Sequence, residues 1–266
     1  MKKFAKVLAL VMALAMLFCL AGCSGDNGST KKLKIATNAE FEPFESLNEK
    51  GEIVGFDVDM LKEIATRAGY EIEWSNMEFD GVIASIPAGT CDLGVSGLTI
   101  TPKRAKIVDF TDSYMEVGQI LIVRADDTVF TGTTKAELDE QLKNKKVGVC
   151  SGYTGQLYAQ GDADLGFTGI EGADVKVYDG PATAIADLKN GQIDVVILDD
   201  AVAKENASAD VNKNDVKVVD IALTVEQYAI AVKKGNTEVL DALNKALREM
   251  KADGTLDQML TEWGLK

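Results

Sequence analysis

Two stretches constrain the fold more than anything else in the chain: "AGTCDLGVSG" at 88–97 and "NGQIDVVILD" at 190–199. Each reads as a helix end, a glycine, two residues, an aspartate and then a buried strand that stops on a polar residue. Gly89 and Gly191 end the helices, and Asp92 and Asp194 enter the strands. A helix–strand unit used twice predicts two similar α/β lobes, each with its own sheet. Ligands of open α/β sheets bind beyond the carboxyl ends of the strands, so the cleft between two facing lobes is the expected site.

The rest of the chain fits the same class. Short β-branched runs at 33–37, 71–74, 93–97, 146–149, 175–178, 195–198 and 228–232 are expected strands. Between them, Val58, Leu61, Ile64, Ala65 and Ala68 trace a helical face that Gly69 stops. Leu138 and Leu142 mark a short helix. Pro181 opens another, which Ile185 and Leu188 face inward and Gly191 closes. Val239, Leu240, Leu243, Leu247 and Met250 make the longest amphipathic helix, and "DGT" at 253–255 separates it from a last one. Strands alternating with helices predict an α/β fold.

Residues 1–22 stand apart. Lys2, Lys3 and Lys6 precede the apolar "VLALVMALAMLFCL", and "LAGC" follows at Leu20–Cys23. This has the form of a signal peptide and resembles the bacterial lipobox, in which Cys23 is diacylated and becomes the new N-terminus. A permanent span would need about 20 apolar residues with different flanks. "SGDNGSTKK", 24–32, reads as a flexible tether behind Cys23. Losing three lysines deepens the net charge from −14 to −17. So acidic a body excludes nucleic acid and electrostatic adhesion to anionic lipid, leaving the acyl chains as the anchor.

The chain has no histidine. That removes Ser–His and Cys–His nucleophile pairs and every His-ligated metal site, and no C-x-x-C pair or EF-hand loop compensates. No cofactor or metal is expected. Cys19 leaves with the signal peptide, and Cys91 and Cys150 fall in different lobes, so both are expected as free thiols.

The segments "LKIATNAEFEPFESLNEKGEIVGFDVDMLKEIA", "MEFDGVIASIPAGTCDLGVSGLTITPKR", "VDFTDSYMEVGQILIV", "KKVGVCSGYTG", "NGQIDVVILDD" and "ALNKALREMKADGTLDQMLTEWG" follow in order from Leu33 to the C-terminus. Together they resemble the family-3 solute-binding proteins of polar amino-acid ABC importers. The resemblance implies a two-lobed periplasmic-binding-protein-like fold of type II, its ligand cleft between lobes joined by two crossover strands. The crossovers fall near Tyr114–Ile122 and Leu223–Tyr228, with 33–118 and 225–266 forming one lobe and 119–224 the other. It further implies a monomeric, lipid-anchored extracytoplasmic receptor that closes on a free amino acid and delivers it to an ABC permease.

A free amino acid offers a carboxylate, an ammonium and a side chain. Arg104 is a planar donor fork suited to the carboxylate, helped by the backbone N–H of Thr99 and of Thr154 in the loop "SGYTG". Asp199, ending the strand "VVIL", suits the ammonium, together with the Gly97 carbonyl and Thr99 hydroxyl. The resemblance assigns Arg104 and Asp199 these same two ends, from opposite lobes. Ser96 and Gly97 close the strand beside them.

Side-chain selection falls to Asn38, Phe41, Phe79 and the Cys150–Ser151 region. Phe41 and Phe79 match positions where family members sandwich the ligand side chain. Asn38 departs from the aspartate of several basic- or amide-binding members, although Glu40 lies close by in sequence. Simpler roles compete: Arg104 as a surface partner of Asp109, Asp199 as the N-cap of a helix starting at Ala201, and the two phenylalanines as ordinary core. The rival class is an enzyme on the same fold, resembling cyclohexadienyl or arogenate dehydratases, with Glu40 or Glu42 as general acid. A free-standing sensory module ranks last.

Overall fold

The computed structural model describes residues 31–266. The expected signal peptide, the expected lipobox with Cys23 and most of the expected tether lie outside the described residues. Strands Tyr70–Asn76, Lys31–Thr37, Leu93–Gly94, Ala231–Lys233 and Val108–Phe110 form one sheet in that order. A second has the order Asp174–Tyr178, Lys146–Cys150, Val195–Asp199, Gln119–Arg124 and Val216–Val219. The chain passes between them twice, through Met115–Val117 and Glu226–Tyr228, which pair antiparallel.

The two copies of the repeated unit do the same work. Ile35 pairs in parallel with Leu93 in one sheet, and Val147 with Val195 in the other. The Lys34 N–H donates to the Asp92 carboxylate at 2.8 Å, and the Asp92 N–H returns a bond to the Lys34 carbonyl at 2.8 Å. Lys146 and Asp194 repeat this reciprocal pair at 2.9 and 2.8 Å. Each aspartate therefore satisfies the lower edge of a strand pair, a position where an apolar residue would leave an N–H without a partner. Gly89 and Gly191 precede them at φ 75° and 70°, the left-handed exit from a helix that a β-carbon disfavours.

Helices cover the sheets with the faces their periodicity predicts. Phe56–Ala68 buries Val58, Leu61 and Ile64, and Thr237–Asp253 buries Val239, Leu243, Leu247 and Met250. Met60, Leu61, Leu243 and Leu247 share one core with Ile35 and Leu93. Fully burying each such side chain contributes about 1.5–3 kcal/mol. Leu121, Val123, Leu138, Leu142 and Val147 form a further core in the second lobe. Both Cys91 and Cys150 are buried free thiols, as expected.

Three strand expectations need correction. "YAIAV" does not form one strand: Tyr228 ends a crossover and Ala231 begins the sheet strand, with Ala229 and Ile230 between them. The run is apolar throughout because all five residues are fully buried as the chain changes partners. "LGVSG" is laddered only at Leu93–Gly94, since Gly97 turns the chain away at φ 52°. "QILIVR", expected as part of a crossover, is a full strand with antiparallel neighbours on both sides. Strand Val216–Val219 and the short strands Glu40–Phe41, Glu45–Leu47 and Ile53–Val54 were not anticipated.

No helix among the described residues is long and apolar enough to cross a membrane.

Candidate functional site

The carboxyl ends of the paired strands converge on one cavity. Phe41, Phe79, Gly97, Thr99 and Arg104 line it on one side; Tyr153, Thr154 and Asp199 line it on the other. Of the residues singled out from sequence, Asn38, Ser96 and Cys150 stand outside this lining. Glu40 and Glu42 line a separate outer depression with Ser46, Glu78 and Asp179.

Arg104 is set by its local sequence. Thr101 caps the short helix Pro102–Ala105, its hydroxyl oxygen accepting the Arg104 N–H at 3.2 Å, and Pro102 occupies the first helical position. The guanidinium then reaches into the cleft. Nη1 donates to the Thr99 carbonyl at 2.8 Å and Nη2 to the Gly152 carbonyl across the cleft at 3.0 Å. Its central carbon lies 5.4 Å from the Phe79 ring centre, a cation–π distance. Burial draws its pKa below the ordinary arginine value, against the opposing pull of the Glu226 and Asp199 charges. Asp109 is not its partner, since that carboxylate accepts from the Gly235 N–H at 2.7 Å and lies 3.4 Å from Lys234 Nζ.

Asp199 precedes the helix Asp200–Ser208, yet its side chain makes no capping bond. Asp200 instead accepts the Ala201 N–H at 2.8 Å. Asp199 Oδ1 accepts the Tyr228 hydroxyl at 2.5 Å, which ties the strand end to a crossover. Burial, then the charge of Glu226, pushes the Asp199 carboxyl up to about 7, while bonds from Tyr228 and Gln119 hold it down. A buried carboxyl so perturbed is short of a positive neighbour.

Glu226 is the member of this network that sequence reasoning missed. Its Oε2 accepts from the Thr99 and Thr154 hydroxyls at 2.8 and 2.7 Å, and its Oε1 from Thr224 at 2.7 Å. Gln119 Nε2 adds a bond to the Thr154 hydroxyl at 3.0 Å. The Thr99 proton is thus committed to Glu226, leaving its oxygen only as an acceptor.

A second layer holds the floor. Asn38 turns its amide onto the Met77 carbonyl at 3.0 Å, and its backbone N–H donates to Ser96 Oγ at 3.1 Å. Ser96 Oγ donates to Glu45 at 2.8 Å, while the Gly97 N–H and Tyr114 hydroxyl both donate to Asp57 Oδ2 at 2.9 Å. Burial and the Asp57 charge push Glu45 well above the carboxylate range, and burial raises Asp57 to about 6. Of the two, Glu45 is pushed up the further and favours its protonated form beside the Asp57 charge. Burial likewise pushes the Cys150 thiol up to about 12, so it stays protonated and is no nucleophile.

Tyr153 was also not singled out. Its ring meets Phe79 at 4.5 Å between centroids and Phe41 at 5.3 Å. A signal for it existed in the repeat. Phe41 lies seven residues after Lys34, and Tyr153 lies seven after Lys146, its counterpart in the other sheet. Glu226 left no comparable mark.

Two sheets bridged by paired crossovers, with charged and aromatic groups meeting in the cleft, define a two-lobed binding protein. The chain belongs to the bacterial extracellular solute-binding proteins, family 3, matching that family over residues 33–266. It is 31% identical over 276 residues to the probable histidine-binding protein of Neisseria gonorrhoeae, an alignment covering 100% of this chain and 97% of the relative. It is 34% identical over 248 residues to the ABC transporter arginine-binding protein 1 of Escherichia coli K12, covering 92% and 95%. Among solved structures, an ancestral arginine-binding protein bound to arginine superposes with a TM-score of 0.77 at 39% identity, covering 87% of this chain and 97% of that one. An ancestral amino acid-binding protein described as a precursor of cyclohexadienyl dehydratase superposes at 0.74 with 32% identity, covering 87% and 94%. These relatives are binding proteins, and this chain is a binding protein and not an enzyme.

Proposed function

We propose that the protein is a lipid-anchored extracytoplasmic receptor that captures a free amino acid and presents it to an ABC importer. The observation that carries the reading is the placement of Arg104 and Asp199 on opposite sides of one cavity. Arg104 takes the carboxylate with the backbone N–H groups of Thr99 and Thr154, and Asp199 takes the ammonium with the Gly97 carbonyl and Thr99 oxygen. Phe41 and Phe79 flank the side chain, and Asn38, Ser96 and Cys150 shape the floor beneath it. The amino-acid ligands named for the relatives support this assignment.

Closure follows from the topology. One lobe comprises 33–118 and 225–266, the other 119–224, and the paired crossovers act as the hinge. The ligand bridges both lobes only when they are closed, so binding shifts the population toward that state. Cys23 carries the lipid, 24–32 tethers the body, and the permease receives the ligand from a monomeric receptor.

A thermal-shift screen against the common amino acids tests the reading. A ligand at 100 times its dissociation constant stabilises by about 2.7 kcal/mol, a plain rise in melting temperature. A protein unmoved by every amino acid would refute it.

A further inference from the structure

Tyr153 stands where a ligand's side chain has to go. Its ring packs at 62° to Phe79 and at 90° to Phe41, the two rings expected to flank that side chain. Only 4% of Tyr153 is exposed. With its ring in place, the space bounded by Phe41, Phe79, Arg104, Thr154 and Asp199 is about 10 Å³. That is room for about one water molecule, far short of an amino acid.

The seat is held by ring packing alone. The Tyr153 hydroxyl is buried and finds no hydrogen-bond partner among the described residues. Burying a hydroxyl in this way is unfavourable, which lowers the cost of displacing the side chain. The backbone permits the move as well. Tyr153 sits ahead of the helix Thr154–Gln160 in an extended conformation, φ −77° and ψ 157°, so its side chain can turn about χ1 without unwinding the helix.

We propose that Tyr153 competes with the ligand's side chain for the slot between Phe41 and Phe79, and so sets how large a side chain the site accepts. The inference rests on the reading of this cleft as an amino-acid site. A short side chain needs little of the slot. A long one enters only as Tyr153 leaves, and part of its binding free energy is consumed in that displacement. Tyr153 is thus a specificity-determining residue that discriminates by occupancy, without a polar contact.

The test is calorimetric titration of wild type, Tyr153→Thr and Tyr153→Phe with alanine and with arginine. Tyr153→Thr should raise the affinity for arginine relative to alanine by at least about tenfold. Tyr153→Phe keeps the ring and loses only the unpartnered hydroxyl, so it should not raise that ratio above the wild-type value. An unchanged ratio in Tyr153→Thr, with both affinities falling together, would show Tyr153 to be ordinary packing and overturn the inference. Tyr153→Leu, which keeps an apolar side chain against Phe41, provides the same comparison if the threonine variant does not fold. If the wild type binds no amino acid, the reading of the cleft fails and takes the inference with it. Binding with an unchanged ratio refutes the inference alone.

Discussion

Removing Arg104 is the sharpest perturbation of the proposed site. A guanidinium carries five N–H donors. In this structure one goes to the Thr99 carbonyl and one to the Gly152 carbonyl, at 2.8 and 3.0 Å. The others remain for a carboxylate, which suffices for a two-pronged contact. Arg104→Ala leaves that carboxylate desolvated without its counter-charge, and breaking a buried pair costs about 3–5 kcal/mol. At 1.4 kcal/mol per decade the affinity should fall on the order of a hundred- to several-thousand-fold. The loss should be similar for every amino acid the wild type binds, because the carboxylate is common to all. Arg104→Lys keeps the charge but cannot reach two carbonyls and a carboxylate at once, so its affinity should fall between the two. Isothermal titration measures all three proteins, with circular dichroism confirming that each is folded. Retention by Arg104→Ala of affinity within about tenfold of wild type, a loss under about 1.4 kcal/mol, would refute the assignment.

Further outcomes follow from the charges around it. Asp199, raised to about 7, favours its uncharged form in the fold; its contribution to stability is present below the ordinary aspartate range and is lost as pH rises through 7. A bound ammonium needs the carboxylate, so affinity should move the opposite way, weakening below pH 7 by at most about tenfold per unit, and Asp199→Asn should abolish that slope in pH-dependent titrations. Asp57→Ala strips the acceptor from the Gly97 N–H and Tyr114 hydroxyl. At about 1–3 kcal/mol for each unpaired donor it should cost roughly 2–6 kcal/mol in urea unfolding, whereas Glu45→Gln, replacing an acid that favours its protonated form, should cost under about 1 kcal/mol. Comparable losses in the two variants would contradict the placement of the proton on Glu45. Cys23→Ala should move the protein from the membrane to the soluble or secreted fraction on cell fractionation, and a variant that stayed membrane-bound would point to an uncleaved anchor.

What the sequence disclosed, and what it hid, divides along the range of the interactions. The repeat was legible because each copy is local: a glycine with positive φ, two residues, an aspartate and a strand. Its aspartates reach back to the strand beside them, and the same geometry recurs at Lys34 and Lys146. Arg104 was legible as a donor fork within the segment that carries the family resemblance, and the structure adds that Thr101 and Pro102 set its helix start. The network behind the site was not. Asp57 reads as an ordinary acid in the first turn of a helix, where the dipole favours it, but its partner is Gly97, 40 residues away. Glu226 reads as one charge in a polar crossover, while its Thr99 partner is 127 residues distant. No propensity or period encodes such pairs. "QILIVR" was misread for a related reason, because a strand that enters its sheet from the crossover shows the same apolar run whether it bridges or ladders.

Each recognition group in the cleft already has an internal neighbour in the place a ligand would take. Arg104 donates to the Gly152 carbonyl, Asp199 accepts from Tyr228, and Tyr153 lies between Phe41 and Phe79. On the proposed reading these are the places of a ligand's carboxylate, ammonium and side chain in turn. Binding is then an exchange of partners more than a gain of them, and the three exchanges differ in kind. Arg104 has donors to spare, so a carboxylate adds to its internal bonds. Asp199, held near 7 for want of a positive neighbour, gains the most from an ammonium. Only the third exchange, at Tyr153, sets an internal group directly against the part of the ligand that varies. On this proposal, affinity common to all amino acids resides at Arg104 and Asp199, while discrimination among them resides in how readily the slot between the rings is vacated.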